Sequence, residues 1–407
     1  MGFIGVQPAS VPITSSDIDD GTIQPADLNL AGNYAFTGTV TGAGQSLRPN
    51  SLPLLINSNM AVAQRGTSFT HANSNNDNFP VDRFSFVTGS IGAFTSTQES
   101  LTSGAAYNAG FRKAARIDCT TADSSPASGD YFWFQYVMEA QDCLVFKKGT
   151  SSAEKMTVAF WVKSNKTGTG QLTVKDSDND RQVAGTYTIS SANTWEHKVI
   201  NLPADTTGAI NNDNGAGFRF EWWLGAGSSY SSGAVPTSWE ARSDGDRGVS
   251  TLAINDNTAN DWAITGIQVE VGEFTSSTLP AFQHESFGNN LKRCERYFQV
   301  IAKKESGDNE DAVLPFAQYS GSTIYGVYNF RTEMRTAPSL SCASGSNYFR
   351  WFRQNSNTEF NTFTLDKSSP QNCDLYQSVS GTQGSAGWVR MINNAPDGSL
   401  VALTGEL

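Results

Sequence analysis

Phe218-Arg219-Phe220-Glu221-Trp222-Trp223-Leu224 reads as a strand with one face in a core. Phe218, Phe220, Trp222 and Leu224 recur at every second position, and Arg219 and Glu221 take the other side. Side chains alternate between two faces along a strand, so this spacing belongs to a half-covered sheet. The same period recurs on either side of it. Met156, Val158, Phe160 and Val162 share one face, and Ile267, Val269 and Val271 point inward while Gln268 and Glu270 point out. Tyr131–Met138 is apolar on both faces, as a central sandwich strand would be. Leu172–Val174 and Val183–Ile189 flank Asp176-Ser177-Asp178-Asn179-Asp180, which reads as a hairpin loop. Many short strands between Gly, Asn and Ser turns imply an all-β sandwich or jelly roll.

Composition agrees. The chain has 407 residues, 38% of them hydrophobic, with 24 Phe, 12 Tyr, 9 Trp and 37 Gly, so core and turn material are both plentiful. Charged residues are 16%, below the roughly 25% of ordinary globular chains. Long Ala/Leu/Glu/Lys runs of helical period are missing. The net charge of −11 and the lack of a basic stripe argue against a nucleic-acid partner, which needs clustered Lys and Arg to displace counterions. No apolar run approaches the ~18 residues of a membrane span, so no membrane insertion is expected, and Met1–Ser10 lacks the pattern of a secretory signal.

Three blocks emerge. Residues 1–52 are rich in Asp, Thr, Gly and Pro and cannot bury a core of their own. Within them Tyr34, Phe36 and Val40 alternate along Tyr34–Val40 as a half-buried strand would, and a lone strand needs partners. Identical copies in a homotrimer are the simplest source, with a disordered tail as the alternative. Residues 53–286 carry the strands above. Residues 287–407 form a second β-domain: Asn290–Tyr297 reads as a short helix or turn, followed by strands at Tyr297–Ile301, Ile324–Arg331, Tyr348–Arg353, Glu359–Leu365, Gly387–Ile392 and Leu400–Leu403. Pro396-Asp397-Gly398 marks the last turn.

Signals of chemistry are weak. No HExxH, GxSxG, GxGxxG or Walker A pattern occurs, and the three His lie far apart. The five Cys (Cys119, Cys143, Cys294, Cys342, Cys373) include no CxxC pair and read as free thiols of a protein made in a reducing cytoplasm. A polysaccharide hydrolase needs two carboxylates across a cleft, which spacing along a chain does not reveal. The long coil-by-coil repeat of a β-helix is missing. The chain is therefore read as no enzyme.

Three stretches carry a resemblance. They are Leu55–Phe69 with Asp82-Arg83-Phe84, Thr265–Gly272 with Phe282–Phe287, and Leu291-Lys292-Arg293-Cys294-Glu295-Arg296-Tyr297-Phe298. In this order they resemble phage and prophage tail-fibre proteins whose body is a carbohydrate-binding-module-like jelly roll. Met334-Arg335-Thr336-Ala337-Pro338 resembles the tip domain that follows in that family. Phe3-Ile4-Gly5-Val6 and Asn33–Gly38 resemble attachment segments of marine-phage fibres.

The resemblance implies an N-terminal extended attachment segment (1–52), a jelly-roll body (53–286) and a C-terminal β-sandwich receptor-binding tip (287–407). It implies a homotrimer in the virion tail, assembled in the host cytoplasm. Its N-terminus, through Tyr34, Phe36 and Val40, would meet a tail adaptor or a baseplate or nozzle protein, and its tip a host surface glycan. No cofactor is expected. A jelly roll of this type can hold a structural Ca²⁺, and Asp176, Asp178 and Asp180 supply oxygens, although the Gly and distant Glu of an EF-hand are missing. A solvated turn is the plainer reading of that loop and of Asn73–Asn78. Sugars stack on exposed aromatics beside polar groups, which singles out Tyr348, Arg350 and Trp351 in the tip and Tyr230 and Trp239 in the body. Because Tyr348 and Trp351 fall on opposite faces of one strand, at least one belongs to the core, and Trp222, Trp223 and Trp239 read as packing residues. Arg65 and Asp82 read as a surface ion pair contributing at most about 1 kcal/mol. Two other readings remain open at this point: a carbohydrate-binding module of a secreted system, or a virion decoration protein without receptor contact.

Overall fold

The computed structural model describes residues 41–42, 45–46, 52–72, 76–305, 310–353 and 356–407. Tyr34, Phe36 and Val40 lie outside the described residues, as do residues 73–75 of the Asn73–Asn78 loop, whose remainder opens a strand. The chain forms two compact units, residues 1–47 and 48–407. Of the first, the described part is the short antiparallel pair β1 (Thr41–Gly42) and β2 (Gln45–Ser46).

The second unit begins with a two-sheet sandwich. Its strands are β3 (Ser68–Ala72), β4 (Asn76–Val81), β5 (Phe84–Gly89), β6 (Ala93–Ser100), β7 (Lys113–Thr121), β8 (Tyr131–Glu139), β9 (Met156–Ser164), β10 (Gly168–Asp176), β11 (Arg181–Ile189), β12 (Glu196–Leu202), β13 (Ala216–Ala226), β14 (Glu240–Ala241) and β15 (Asp261–Val271). The larger sheet runs β14-β11-β10-β13-β8-β5-β4 and the smaller β12-β9-β15-β7-β6-β3, with every pairing antiparallel. This is the jelly-roll-like body.

The inward row of β13, Phe218, Phe220, Trp222 and Leu224, is buried between the sheets. Aromatic pairs bridge the layers: Phe160 meets Trp222 edge-on at 5.7 Å, and Phe94 stacks on Phe132 at 4.2 Å. β8 lies between β13 and β5 and is covered on both faces, which is why its sequence does not alternate. One expectation needs correction. Gln268 and Glu270 on β15 are buried rather than outward in solvent. The chain after β15 folds over them, and Gln268 Nε2 donates to the Pro280 carbonyl at 2.9 Å.

A helix, α1 (Phe287–Cys294), leads to the C-terminal part; Ser286 Oγ caps it by accepting the Asn289 N–H. It starts three residues before the expected Asn290. The strands that follow are β16 (Phe298–Lys303), β17 (Glu310–Ser320), β18 (Thr323–Asn329), β19 (Ser339–Cys342), β20 (Phe349–Arg353), β21 (Ser356–Phe360), β22 (Thr364–Ser368), β23 (Asn372–Ser378), β24 (Ala386–Ile392) and β25 (Leu400–Thr404). A seven-stranded sheet runs β21-β20-β24-β17-β18-β23-β22, and a three-stranded one β16-β25-β19. Val401 and Leu403 of the small sheet share a core with Trp351, Leu375, Val389 and Met391 of the large one. The expected strand Glu359–Leu365 is in fact two, broken where Phe363 turns into the core.

Polar clamps join the two sandwiches. The buried Arg83 guanidinium lies over the Tyr297 ring at 3.4 Å and pairs with Glu406. Arg65 pairs with Glu406 at 2.8 Å and with Asp82 at 3.5 Å, and stacks on Phe298 at 3.8 Å. The Arg65–Asp82 pair is thus no surface ion pair, since Asp82 is buried and also accepts the Gln64 N–H. Arg335, itself bonded to the Gly405 and Glu406 carbonyls, crosses by donating to the Asn214 carbonyl at 3.0 Å, and Glu139 holds Arg296 and the Tyr297 hydroxyl. All five Cys are free, and four are buried. Among the described residues no helix is long and apolar enough to cross a membrane.

Candidate ligand-binding surfaces

The outer face of the larger body sheet carries Trp223 and Glu221 on β13 beside Trp133 and Gln135 on β8. Residues 227–250 fold back over this face. Gly227 opens the segment where the chain passes so close that a Cβ would stand 1.9 Å from the Ala127 carbonyl oxygen. A short helix, Ser228–Ser231, then carries Tyr230 to 5.5 Å from the Trp223 ring. Arg247 enters among the rings, 5.1 Å from Trp223, 5.2 Å from Trp133 and 5.7 Å from Tyr230, and pairs with Glu221 at 2.8 Å. Gln171 and Thr173 donate to the Arg247 carbonyl from the sheet below. The chain thereby fills its own aromatic face, and Trp223 is fully buried. Trp239 is half-buried against Phe218 at 5.9 Å and donates its Nε1–H to the Pro203 carbonyl, so it packs rather than projects.

The acidic hairpin loop does not gather its carboxylates. Asp176 is buried; one oxygen lies 2.7 Å from Lys148 Nζ and the other accepts the N–H groups of Asp178 and Asn179. Asp178 accepts from Asn211, and Asp180, in the left-handed region at φ 49°, accepts from Arg242. Three carboxylates facing three different donors, with an ammonium already on the innermost, do not fit a Ca²⁺ shell of six to eight oxygens. Among the described residues no group of three or more His, Cys, Asp or Glu converges as a ligand set.

In the tip, the structure separates the three residues singled out from sequence. Trp351 is 0% exposed, in the inward row of β20 with Phe349, and so offers no ring face to a ligand. Tyr348 precedes the strand and is half-buried against the tip core. Arg350 alone stands on the open face, 2.7 Å from Glu359. That face holds aromatics which the sequence reading passed over. Trp388 on β24 is the cross-strand neighbour of Phe352 on β20, 6.2 Å away with near-parallel rings. Tyr325 on β18 and Tyr376 on β23 stack at 5.5 Å, and Tyr319 meets Tyr325 edge-on. Of the seven large apolar or aromatic residues exposed among the described residues, three (Tyr319, Val327, Trp388) lie here, which makes this face the main concentration of open apolar surface. The signal was present in Gly387-Trp388-Val389-Arg390-Met391: with Val389 and Met391 inward, alternation puts Trp388 and Arg390 outside.

No protein-family model matches the chain, and no curated protein matches it. Solved structures show a faint likeness. The bacteriophage CBA120 tailspike protein 4 enzymatically active domain is 10% identical, with 54% of this chain and 21% of that chain covered at a TM-score of 0.25. TmCBM61 in complex with β-1,4-galactotriose is 9% identical, with 54% and 99% covered at 0.24. The family 11 carbohydrate-binding module from Clostridium thermocellum, in complex with a β-1,3-1,4-mixed-linked tetrasaccharide, is 8% identical, with 54% and 99% covered at 0.25. At such scores these likenesses carry no argument about ligand or role, and the reading of this chain rests on its own residues and geometry.

Proposed function

We propose that this chain is a non-catalytic tail-fibre protein of a bacteriophage that attaches the virion to host surface glycan. In this reading residues 1–52 dock to a tail adaptor, baseplate or nozzle protein and trimerise, 53–286 form the body, and 287–407 meet the host. One observation carries the recognition part: the aromatic face of the tip sheet is open, whereas the aromatic face of the body sheet is filled by residues 227–250. Flat apolar rings in water with hydroxyls and guanidinium groups beside them suit sugars, which offer apolar C–H faces ringed by hydroxyls. The ordered resemblance to tail fibres supplies the setting. Each tip binds weakly, and three on one axis raise the effective concentration, often by about 10²–10⁴ in avidity.

The experiment has two arms. The full chain is applied to arrays of bacterial envelope polysaccharides with reducing ends monitored; binding to a subset without release of new ends is expected. Antibodies against the chain are applied to virions, and labelling at the tail is expected. Retention on no glycan sinks the recognition reading, steady release of reducing ends sinks the non-catalytic one, and unlabelled tails sink the virion one.

A further inference from the structure

Asn214-Gly215 is the one Asn-Gly pair in the 407 residues. It lies in the exposed turn before β13, where the body meets Arg335 of the tip. Asparagine is among the chemically labile residues. The backbone nitrogen that follows it can attack its side-chain carbonyl carbon and close a five-membered ring. A glycine in second place leaves that nitrogen unshielded, since it carries no Cβ. Every Asn-Gly pair has this chemistry open to it. The neighbours of this one also act on each group that ring closure uses.

Asp213 Oδ1 accepts the Gly215 N–H at 2.8 Å. That proton must leave for the nitrogen to attack, and a general base takes a proton from roughly this distance. A Cβ on Gly215 would stand 2.9 Å from the same oxygen, so a larger residue would push the carboxylate aside. Arg335 donates through one terminal guanidinium nitrogen to the Asn214 carbonyl oxygen at 3.0 Å. That oxygen belongs to the same peptide unit and takes up negative charge as the N–H proton departs. A guanidinium placed on it stabilises that charge. Asn214 Nδ2, the leaving group, donates to the Arg335 carbonyl at 2.5 Å. Asp213 and Asn214 are both exposed, so water reaches the ring once it has formed.

We propose that Asn214 is a self-modifying site, which the folded chain converts to aspartate and isoaspartate. Asp213 takes the Gly215 N–H proton while that nitrogen bonds to Asn214 Cγ. The proton passes on to Nδ2, the Cγ–Nδ2 bond breaks and ammonia departs, which leaves a cyclic imide. Water then adds to either imide carbonyl and opens the ring. One water enters and one ammonia leaves, with no change of oxidation state. The new carboxylate cannot donate to the Arg335 carbonyl. The isoaspartate form also adds a methylene to the main chain beside Gly215, whose carbonyl accepts the Ala140 N–H at 2.9 Å. Ala140 follows Glu139, which holds Arg296 and Tyr297. The conversion therefore ages the joint between body and tip.

The test is incubation of the full chain, folded and, in parallel, unfolded in guanidinium chloride. Intact mass should rise by about one dalton as the amide becomes an acid, and peptide mapping should place the change at position 214. The folded chain should convert faster than the unfolded one. Asp213→Asn should slow the folded chain about tenfold by removing the base. Arg335→Lys should slow it less, since an ammonium keeps the charge. Both variants should keep the wild-type circular dichroism. Aged chain, separated from fresh chain by its added negative charge, should melt at a lower temperature. Conversion that is no faster folded than unfolded, or that is unchanged by Asp213→Asn, overturns the self-catalysis. No conversion at position 214 overturns the site itself. Equal melting of aged and fresh chain overturns its effect on the joint.

Discussion

Trp351 and Trp388 show what a single position on a pleat decides. They lie on adjacent strands, yet one is sealed in the tip core and the other is 51% exposed. Sequence reading weighted residue type, Tyr348, Arg350 and Trp351 in a polar neighbourhood, more than parity along the strand. The parity rule was available, because Phe349 and Trp351 inward force Arg350 and Phe352 outward. Phe160 is the opposite case, where parity was read and the ring is fully buried against Trp222 and Tyr187. Phe160→Ala should cost roughly 3–5 kcal/mol through lost transfer energy and a cavity. Denaturant unfolding measures it, and a loss no larger than at an exposed control would mean the site repacks. His71 supplies a second prediction. Its ring is buried against Ser96 Oγ at 2.8 Å, and burial pushes its pKa down to about 4. The unfolded chain takes up a proton near pH 6.5 while the folded one resists until about pH 4, so acidification across that window favours unfolding. Stability should fall by at most about 3 kcal/mol between those values. His71→Asn should flatten the slope of melting temperature against pH in that range, and an unchanged slope would refute the assignment.

At the scale of elements, the alternating strands were legible and the strands with a reason not to alternate were harder. β17 was missed because Pro315 interrupts it, and proline is unwelcome inside a sheet. The ladder with β24 shifts register between Ala312 and Pro315, and the pairing with β18 begins only at Ala317, so the missing N–H is tolerated. The same proline is exposed on the open face of the sheet. β19 and β23 also escaped reading, being short or polar at alternate positions. The segment 227–250 had no periodic signal: Arg247 is one of five charged residues in a Gly/Ser-rich stretch, and its partners Trp133 and Trp223 lie on strands outside it. Its role gives a prediction. Glu221→Ala would leave the Arg247 guanidinium among Trp133, Trp223 and Tyr230 with only the exposed Asp244 carboxylate, 3.2 Å away. Breaking a buried pair this way costs about 3–5 kcal/mol. Limited proteolysis should then cut within 227–250 sooner than in wild type; equal cleavage rates would show that Arg247 does not hold the segment down.

At the scale of the whole molecule, an all-β chain of sandwiches followed from composition and period, but how its halves meet did not. The clamps are side chains hundreds of residues apart, Arg65 and Arg83 on Glu406, Glu139 on Arg296 and Tyr297, and nothing local marks them. Burial alone would raise both carboxyls. Arg83 and Arg65 nevertheless hold Glu406 below the ordinary glutamate value of 4.5, and hydrogen bonds from Arg296 and Tyr297 do the same for Glu139. Their stabilisation is present above about pH 4.5 and lost as pH falls through the lower folded values, because the unfolded chain binds those protons first. Asp82 works in the other direction, its pKa raised by burial against the pull of Arg65. Glu196 and Asp205 are likewise held low, and Asp142 is raised with Asp82. With four lowered carboxyls against two raised among the described residues, melting should drop below about pH 4.5, and Glu406→Gln should reduce that drop. A melting temperature that stays level down to pH 3.5 would show that the clamps contribute little.

The clamps at Glu406 and Arg335 also have a mechanical meaning. Arg65 and Arg83 of the body both grip the Glu406 carboxylate just past β25, the middle strand of the small tip sheet, and Arg335, which holds the Gly405 and Glu406 carbonyls, also reaches the body at the Asn214 carbonyl. Bonds arranged side by side share a load and fail together, whereas bonds in a row fail one at a time. A pull between body and tip would therefore be carried past the joint into the sheets, and the first element to yield under tension should be a strand inside one sandwich, with the two sandwiches still attached.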